Sequence, residues 1–192
     1  MKKFISIIAA AAMAITGCSS GQSAQAEEPI KTIDEMAEEI ISDMTLEEKV
    51  GQMFLVRYTD DEKAVSDIDK YKFGGYLLFA KDFQDKTKDD VIKSVSDCQS
   101  ASKVPLFIGV DEEGGIVNRV SKFPQFRNEP FKSPRELYNE GGYELISSDT
   151  QEKCELLKSL GINVNLAPVC DVSENPDSFM YERTLGQDAD AT

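Results

Sequence analysis

The chain has 192 residues, with 21 basic against 35 acidic side chains, a formal net charge of −14 and no histidine. That acidic excess leaves no basic stripe to neutralise phosphates, so nucleic acid is excluded as a partner, and the charge is that of a well-solvated surface. Hydrophobic residues at 41% suit a globular domain with one core, and without histidine neither a Ser-His-Asp nor a Cys-His centre can be assembled from these residues.

At the N-terminus, Lys2 and Lys3 precede an apolar run over 4–15, which ends in Ile15-Thr16-Gly17-Cys18. A spanning helix needs about 20 apolar residues, and this run is shorter. Residues 1–17 therefore read as a signal peptide and Cys18 as the lipid-attachment residue of an exported lipoprotein. The expected location is the extracytoplasmic face of the cell membrane, held through the lipid. Residues 18–30 are mostly small and polar and read as a flexible tether. The remaining 31–192 read as one folded unit.

Within that unit, helical and strand-like segments alternate. Thr32-x-x-Glu35 and Thr45-x-x-Glu48 are capping boxes; the helices they open carry Ile33, Met36 and Ile40, and Leu46, Val50 and Met53, on one face. A strand is predicted over 53–58, a helix over 61–70, and a second, buried strand over 75–80. A third capping box, Thr87-x-x-Asp90, heads a helix with the stripe Val91, Val95, Cys98 and Ala101. A third strand spans 105–110, a helical turn starts at Ser133-Pro134, a longer helix covers about 143–160, and a fourth strand covers 163–171. Cys98 and Cys154 fall on apolar helical stripes and Cys170 in an apolar strand, so all three are expected to be buried as small hydrophobes. Their spacing offers no zinc site, and no metal or organic cofactor is implied.

Strands that are apolar on both faces and separated by helices imply a parallel sheet. A doubly wound sheet expects a glycine-rich loop after its first strand, and 56–61 contains no glycine. A (β/α)8 barrel fits better, although a complete one needs about 250 residues. The expected fold class is thus α/β, the first half of a (β/α)8 barrel with about four strand-helix units, in a truncated chain. Such a half, with an open edge at its fourth strand, is expected to fold poorly by itself.

In a barrel the site gathers at the C-terminal edges of the strands. Those edges carry Lys81-Asp82, then Asp111-Glu112-Glu113-Gly114-Gly115, then Asp171. Arg119 lies eight residues beyond Asp111 and could pair with it in one pocket. A carboxylate beside a guanidinium suits a ligand rich in hydroxyls, such as a sugar; an acidic turn with a surface ion pair is the blander alternative.

These residues resemble a family. Pro105-Leu-Phe-Ile-Gly-Val-Asp-Glu-Glu-Gly-Gly-Ile-Val-Asn-Arg119 is similar to the Asp-x-Glu-Gly-Gly-x-Val-x-Arg signature of glycoside hydrolase family 3, in particular its β-N-acetylhexosaminidase branch. A second block, Leu160-Gly-Ile-Asn-Val-Asn-Leu-Ala-Pro-Val-Cys-Asp-Val172 followed by Arg183-Thr-Leu-Gly186, resembles the family's fourth strand and the loop after it. The likeness extends upstream through Leu46-Glu-Glu-Lys-Val-Gly-Gln52 and Gly74-Gly-Tyr-Leu-Leu-Phe79.

The resemblance implies that Asp111, Arg119 and Arg183 hold sugar hydroxyls next to the scissile bond, with Asn165 and Asp171 as scaffolding. It implies a retaining hydrolase acting on terminal β-linked N-acetylglucosamine of cell-wall or chitin-like oligosaccharides. The family's aspartate nucleophile and histidine acid/base would lie beyond residue 192, so none of the catalytic residues is expected in this chain. Two alternatives stand beside it: a non-catalytic carbohydrate-binding lipoprotein, and a family 3 β-glucosidase.

Overall fold

The computed structural model describes residues 31–192; residues 1–30, on which the expected signal peptide, the expected lipid site at Cys18 and the expected tether fall, lie outside the described residues. Helices and strands alternate in the order α1 (Ile33–Ser42), α2 (Leu46–Gln52), β1 (Leu55–Arg57), α3 (Asp61–Tyr71), β2 (Gly75–Leu78), α4 (Lys88–Ala101), β3 (Phe107–Val110), α5 (Pro134–Ser159) and β4 (Val164–Asn165). The four strands form one parallel sheet in sequential order, β1-β2-β3-β4. This is the (β/α)-barrel half expected from the sequence.

Helix starts follow local chemistry. Thr32, Thr45 and Thr87 each accept from the backbone N–H three residues on, while Glu35, Glu48 and Asp90 reach back to the cap. Ser133 and Glu136 form a fourth such box, and Asp60 caps α3 by accepting from Lys63 N–H. Gly142, at φ +64°, breaks α5 into a short first helix and a long second one, matching the turn and helix expected there. Between β2 and β3 the backbones approach so closely that a Cβ on Gly75 would lie 2.0 Å from the Phe107 carbonyl oxygen, and only glycine fits.

One face of the sheet is covered. Tyr76, Leu78, Ile108 and Val110 pack with Ala64 and Ile68 of α3 and with Val91, Val95 and Cys98 of α4. Leu157, Leu160 and Ile162 close the core at the end of α5. The opposite register carries Leu55 and Phe107, opposite Gly75, and these stay exposed, as does Leu166 after β4. The sheet is therefore one-sided among the described residues, with the uncovered face on the side that a closed barrel turns inward.

Several sequence expectations need correction. The apolar faces of α1 and α2 are only partly covered among the described residues: Ile33, Leu46 and Met53 are at least 72% accessible, while Met36, Ile40 and Val50 are about half covered. The first strand begins at Leu55, since α2 is capped at Met53. β4 stops at Asn165; Leu166 N–H still donates to Val110 O at 2.8 Å, but Pro168 has no N–H to continue a ladder. Cys98 is buried, whereas Cys154 and Cys170 are exposed. The buried face of α5 runs through Lys153 and Leu157, and a step of one residue turns Cys154 outward. Cys170 lies past Pro168 in irregular chain.

Candidate active site

The candidate side chains cluster where the strands end. After β3 the chain runs straight into Asp111, Glu112 and Glu113, and alternation sends the first and third one way and the second the other. Glu112 turns into the protein and is fully buried. Its Oε2 accepts from the backbone N–H of Arg119 at 2.6 Å and of Val120 at 2.7 Å, and its Oε1 from Ser121 N–H at 3.1 Å and from the Ser121 hydroxyl. Glu112 is thus the clamp of the returning loop. Its own backbone is held by Asn165, whose Oδ1 accepts from Glu112 N–H at 2.9 Å and whose Nδ2 donates to Glu112 O at 3.1 Å.

That clamp places Arg119 beside Asp111. The guanidinium donates through Nε to Asp111 Oδ1 at 2.7 Å and through Nη2 to Oδ2, a bidentate fork. These hydrogen bonds hold the Arg119 pKa above its ordinary value against partial desolvation, with added pull from the charges of Asp111, Glu113 and Glu112. Both side chains are about a quarter accessible or less, so the pair sits at the rim of the covered region, open to a ligand. Phe79, at the end of β2, lies beneath Arg119 at 5.7 Å and beneath Arg57 of β1 at 4.5 Å, a flat apolar floor held by cation–π contacts.

Glu113 makes a second fork. Arg183 donates through Nε to Oε2 at 2.8 Å and through Nη2 to Oε1 at 2.6 Å. The Glu113 carbonyl accepts from the buried Lys153 Nζ at 3.1 Å, and Lys153 is itself paired with Asp149 at 3.3 Å. Gly114 and Gly115, at φ +100° and +61°, turn the chain away; a Cβ on Gly114 would lie 2.1 Å from Lys132 O.

The structure thus brings Asp111, Arg119 and Arg183 to one strand edge. Arg183 feels the charges of Asp171 and Asp111 after its hydrogen bonds to Glu113, and all of these raise its pKa. Asp171 is exposed on the loop. Glu112, Glu113 and Lys153 have structural parts that sequence reasoning did not assign; the pairing of Glu113 with Arg183 spans 70 residues and leaves no local signal. Lys153 could have been noticed as a lysine in register with Leu157 on the buried stripe of its helix.

Comparisons with known proteins agree with this picture. The chain is 34% identical over 115 residues to beta-hexosaminidase A of Pseudoalteromonas piscicida, a match covering 58% of this chain and 19% of that one. It is 28% identical over 142 residues to the beta-hexosaminidase LpqI of Mycobacterium tuberculosis, covering 73% and 35% respectively. Among solved structures, a family 3 beta-N-acetylglucosaminidase from a Paenibacillus species superposes with a TM-score of 0.69 at 27% identity, over 77% of this chain and 28% of that one. The chain therefore spans about a fifth to a third of these relatives. Residues 45–192 match the family described as glycosyl hydrolase family 3 N terminal domain, and the chain belongs to that family.

Proposed function

We propose that the chain supplies the sugar-holding part of a β-N-acetylhexosaminidase that hydrolyses terminal β-linked N-acetylglucosamine from cell-wall or chitin-like oligosaccharides. The observation that carries this reading is the pair of neighbouring carboxylate–guanidinium forks, Asp111–Arg119 and Glu113–Arg183, at the C-terminal edge of β3. Each fork uses only part of the five N–H donors of its arginine. The remaining donors, with the free lone pairs of Asp111, match the alternating donors and acceptors of a pyranose. Relatives named beta-hexosaminidase support the N-acetylhexosamine preference.

None of the three edge carboxylates is suited to bond breaking. Asp111 and Glu113 are committed to arginines, and Glu112 is sealed against four donors. A retaining reaction needs a nucleophile and a general acid/base on either side of one bond, so both are assigned outside these residues. Export and anchoring through a lipid on Cys18 complete the proposal and put the site at the extracytoplasmic face.

The test is hydrolysis of a chromogenic β-N-acetylglucosaminide against the matching β-glucoside by the protein expressed from its complete gene. Preference for the first supports the reading; preference for the second makes the protein a β-glucosidase. Turnover of neither, with N-acetylglucosamine still bound, makes it a carbohydrate-binding lipoprotein. Replacing Cys18 with Ala should move the protein from the membrane fraction to the soluble one, and unchanged partition would refute the anchor.

A further inference from the structure

Arg183 stands in a weakly structured place. Between β4 and the single turn Tyr181–Arg183 the chain has no helix or strand. The turn is fixed on its outer side, where Arg135 Nη2 donates to Tyr181 O at 2.9 Å and to Thr184 Oγ1 at 2.8 Å. Those bonds place the backbone and leave the Arg183 side chain undetermined. A free arginine side chain has many rotamers, and freezing it at the moment of binding would weaken any ligand contact.

Glu113 removes that freedom before a ligand arrives. Its side chain is only 4% accessible, and its backbone is held on both sides: Glu113 N–H donates to Val117 O at 3.0 Å, and Glu113 O accepts from Lys153 Nζ. A bidentate fork fixes the plane of the guanidinium as well as its position. With Nε and one Nη2 hydrogen directed at Glu113, and Nη1 turned to Met180 Sδ at 3.3 Å, the remaining hydrogens are aimed by geometry rather than by the ligand.

Resting on the reading that Arg183 contacts the sugar, we propose that Glu113 is a positioning residue, whose buried carboxylate pre-orients Arg183 toward the sugar held by Asp111 and Arg119. Glu113 itself touches no substrate. The rigid turn Glu113–Gly115, closed from behind by α5 through Lys153, becomes the base from which the otherwise irregular loop after β4 is aimed.

A kinetic cycle on the protein expressed from its complete gene tests this, using Glu113→Gln, Arg183→Met and the double variant, with the chromogenic β-N-acetylglucosaminide and with N-acetylglucosamine binding as readouts. Glu113→Gln keeps the shape and loses the charged fork. It should raise KM and the Kd for N-acetylglucosamine about tenfold with little change in kcat, the range for a lost charge-assisted hydrogen bond. Arg183→Met should do at least as much, and the double variant should bind no more weakly than Arg183→Met alone, because Glu113 acts only through Arg183. Additive losses would overturn the proposal, as would a Glu113→Gln variant with unchanged KM while Arg183→Met is impaired. An unimpaired Arg183→Met would instead sink the assignment of Arg183 to the sugar, and the proposal with it. Thermal melting separates these from misfolding: if Glu113→Gln lowers Tm, the double variant, which buries no lone charge, must still match Arg183→Met in Kd.

Discussion

Asp111 and Arg119, eight residues apart, meet in a bidentate fork whose Nε–Oδ1 distance is 2.7 Å, and the loop that carries Arg119 is held from behind by the carboxylate of Glu112. Three consecutive acidic residues thus have three separate partners: one fork to Arg119, one clamp on a loop, one fork to Arg183. Mutual repulsion is avoided because each charge is met by donors in its own direction.

The first prediction concerns the Asp111–Arg119 fork. Replacing either residue with Ala should raise KM for the N-acetylglucosaminide by about 10- to 100-fold, the worth of hydrogen bonds to charged groups. Arg119→Lys should recover little of this, because an ammonium cannot reproduce the planar fork. Unaltered steady-state kinetics in these variants would remove both residues from the sugar site.

Glu112 gives a stability effect instead. Glu112→Ala strands the N–H groups of Arg119, Val120 and Ser121 together with the Ser121 hydroxyl, and should cost about 3 kcal/mol or more. Urea unfolding should show a lower midpoint at unchanged m. A midpoint equal to that of the parent protein would contradict the clamp.

Asp61 sets an acid limit. Burial alone would raise its pKa, but the neighbouring Ser94 hydroxyl, the hydrogen bonds donated by Tyr58 and Lys86, and the Lys86 charge bring it down to about 2. A carboxyl with a depressed folded-state pKa contributes stability that is complete above its unfolded pKa, about 4, and is lost as pH falls toward 2. Asp61→Asn should therefore flatten the loss of Tm between about pH 4 and 2, measured by circular dichroism. An acid profile identical to the parent's would show that this cluster is not coupled to folding.

Thiol reactivity should divide by burial. Cys98 is enclosed by α3, α4 and the sheet, and desolvation, with the charges of Asp61 and Asp97, pushes its pKa up to about 11. Cys154 and Cys170 are exposed. Site-resolved mass spectrometry after brief alkylation near neutral pH should find Cys154 and Cys170 labelled, with Cys98 labelled only after denaturation. Rapid labelling of Cys98 in the native protein would mean that the α3–α4 packing is open.

Much of this molecule is written in local pattern. Capping boxes at Thr32, Thr45 and Thr87 define three helix starts to the residue, because their hydrogen bonds reach only three positions along the chain. Short apolar runs between helices determined a parallel sheet, and the run from Asp111 to Arg119 marked the candidate site, since eight residues with two glycines suffice to bring the two side chains together. Tertiary structure decided what local pattern cannot carry. The apolar stripes of α1 and α2 look like core and are only partly covered among the described residues, because burial depends on what lies opposite. Cys154 is turned outward by helix phase relative to the sheet. The choice of Arg183 as the partner of Glu113 required the chain to return 70 residues later to the same edge, a meeting set by the order of the strands and by no property of either residue alone.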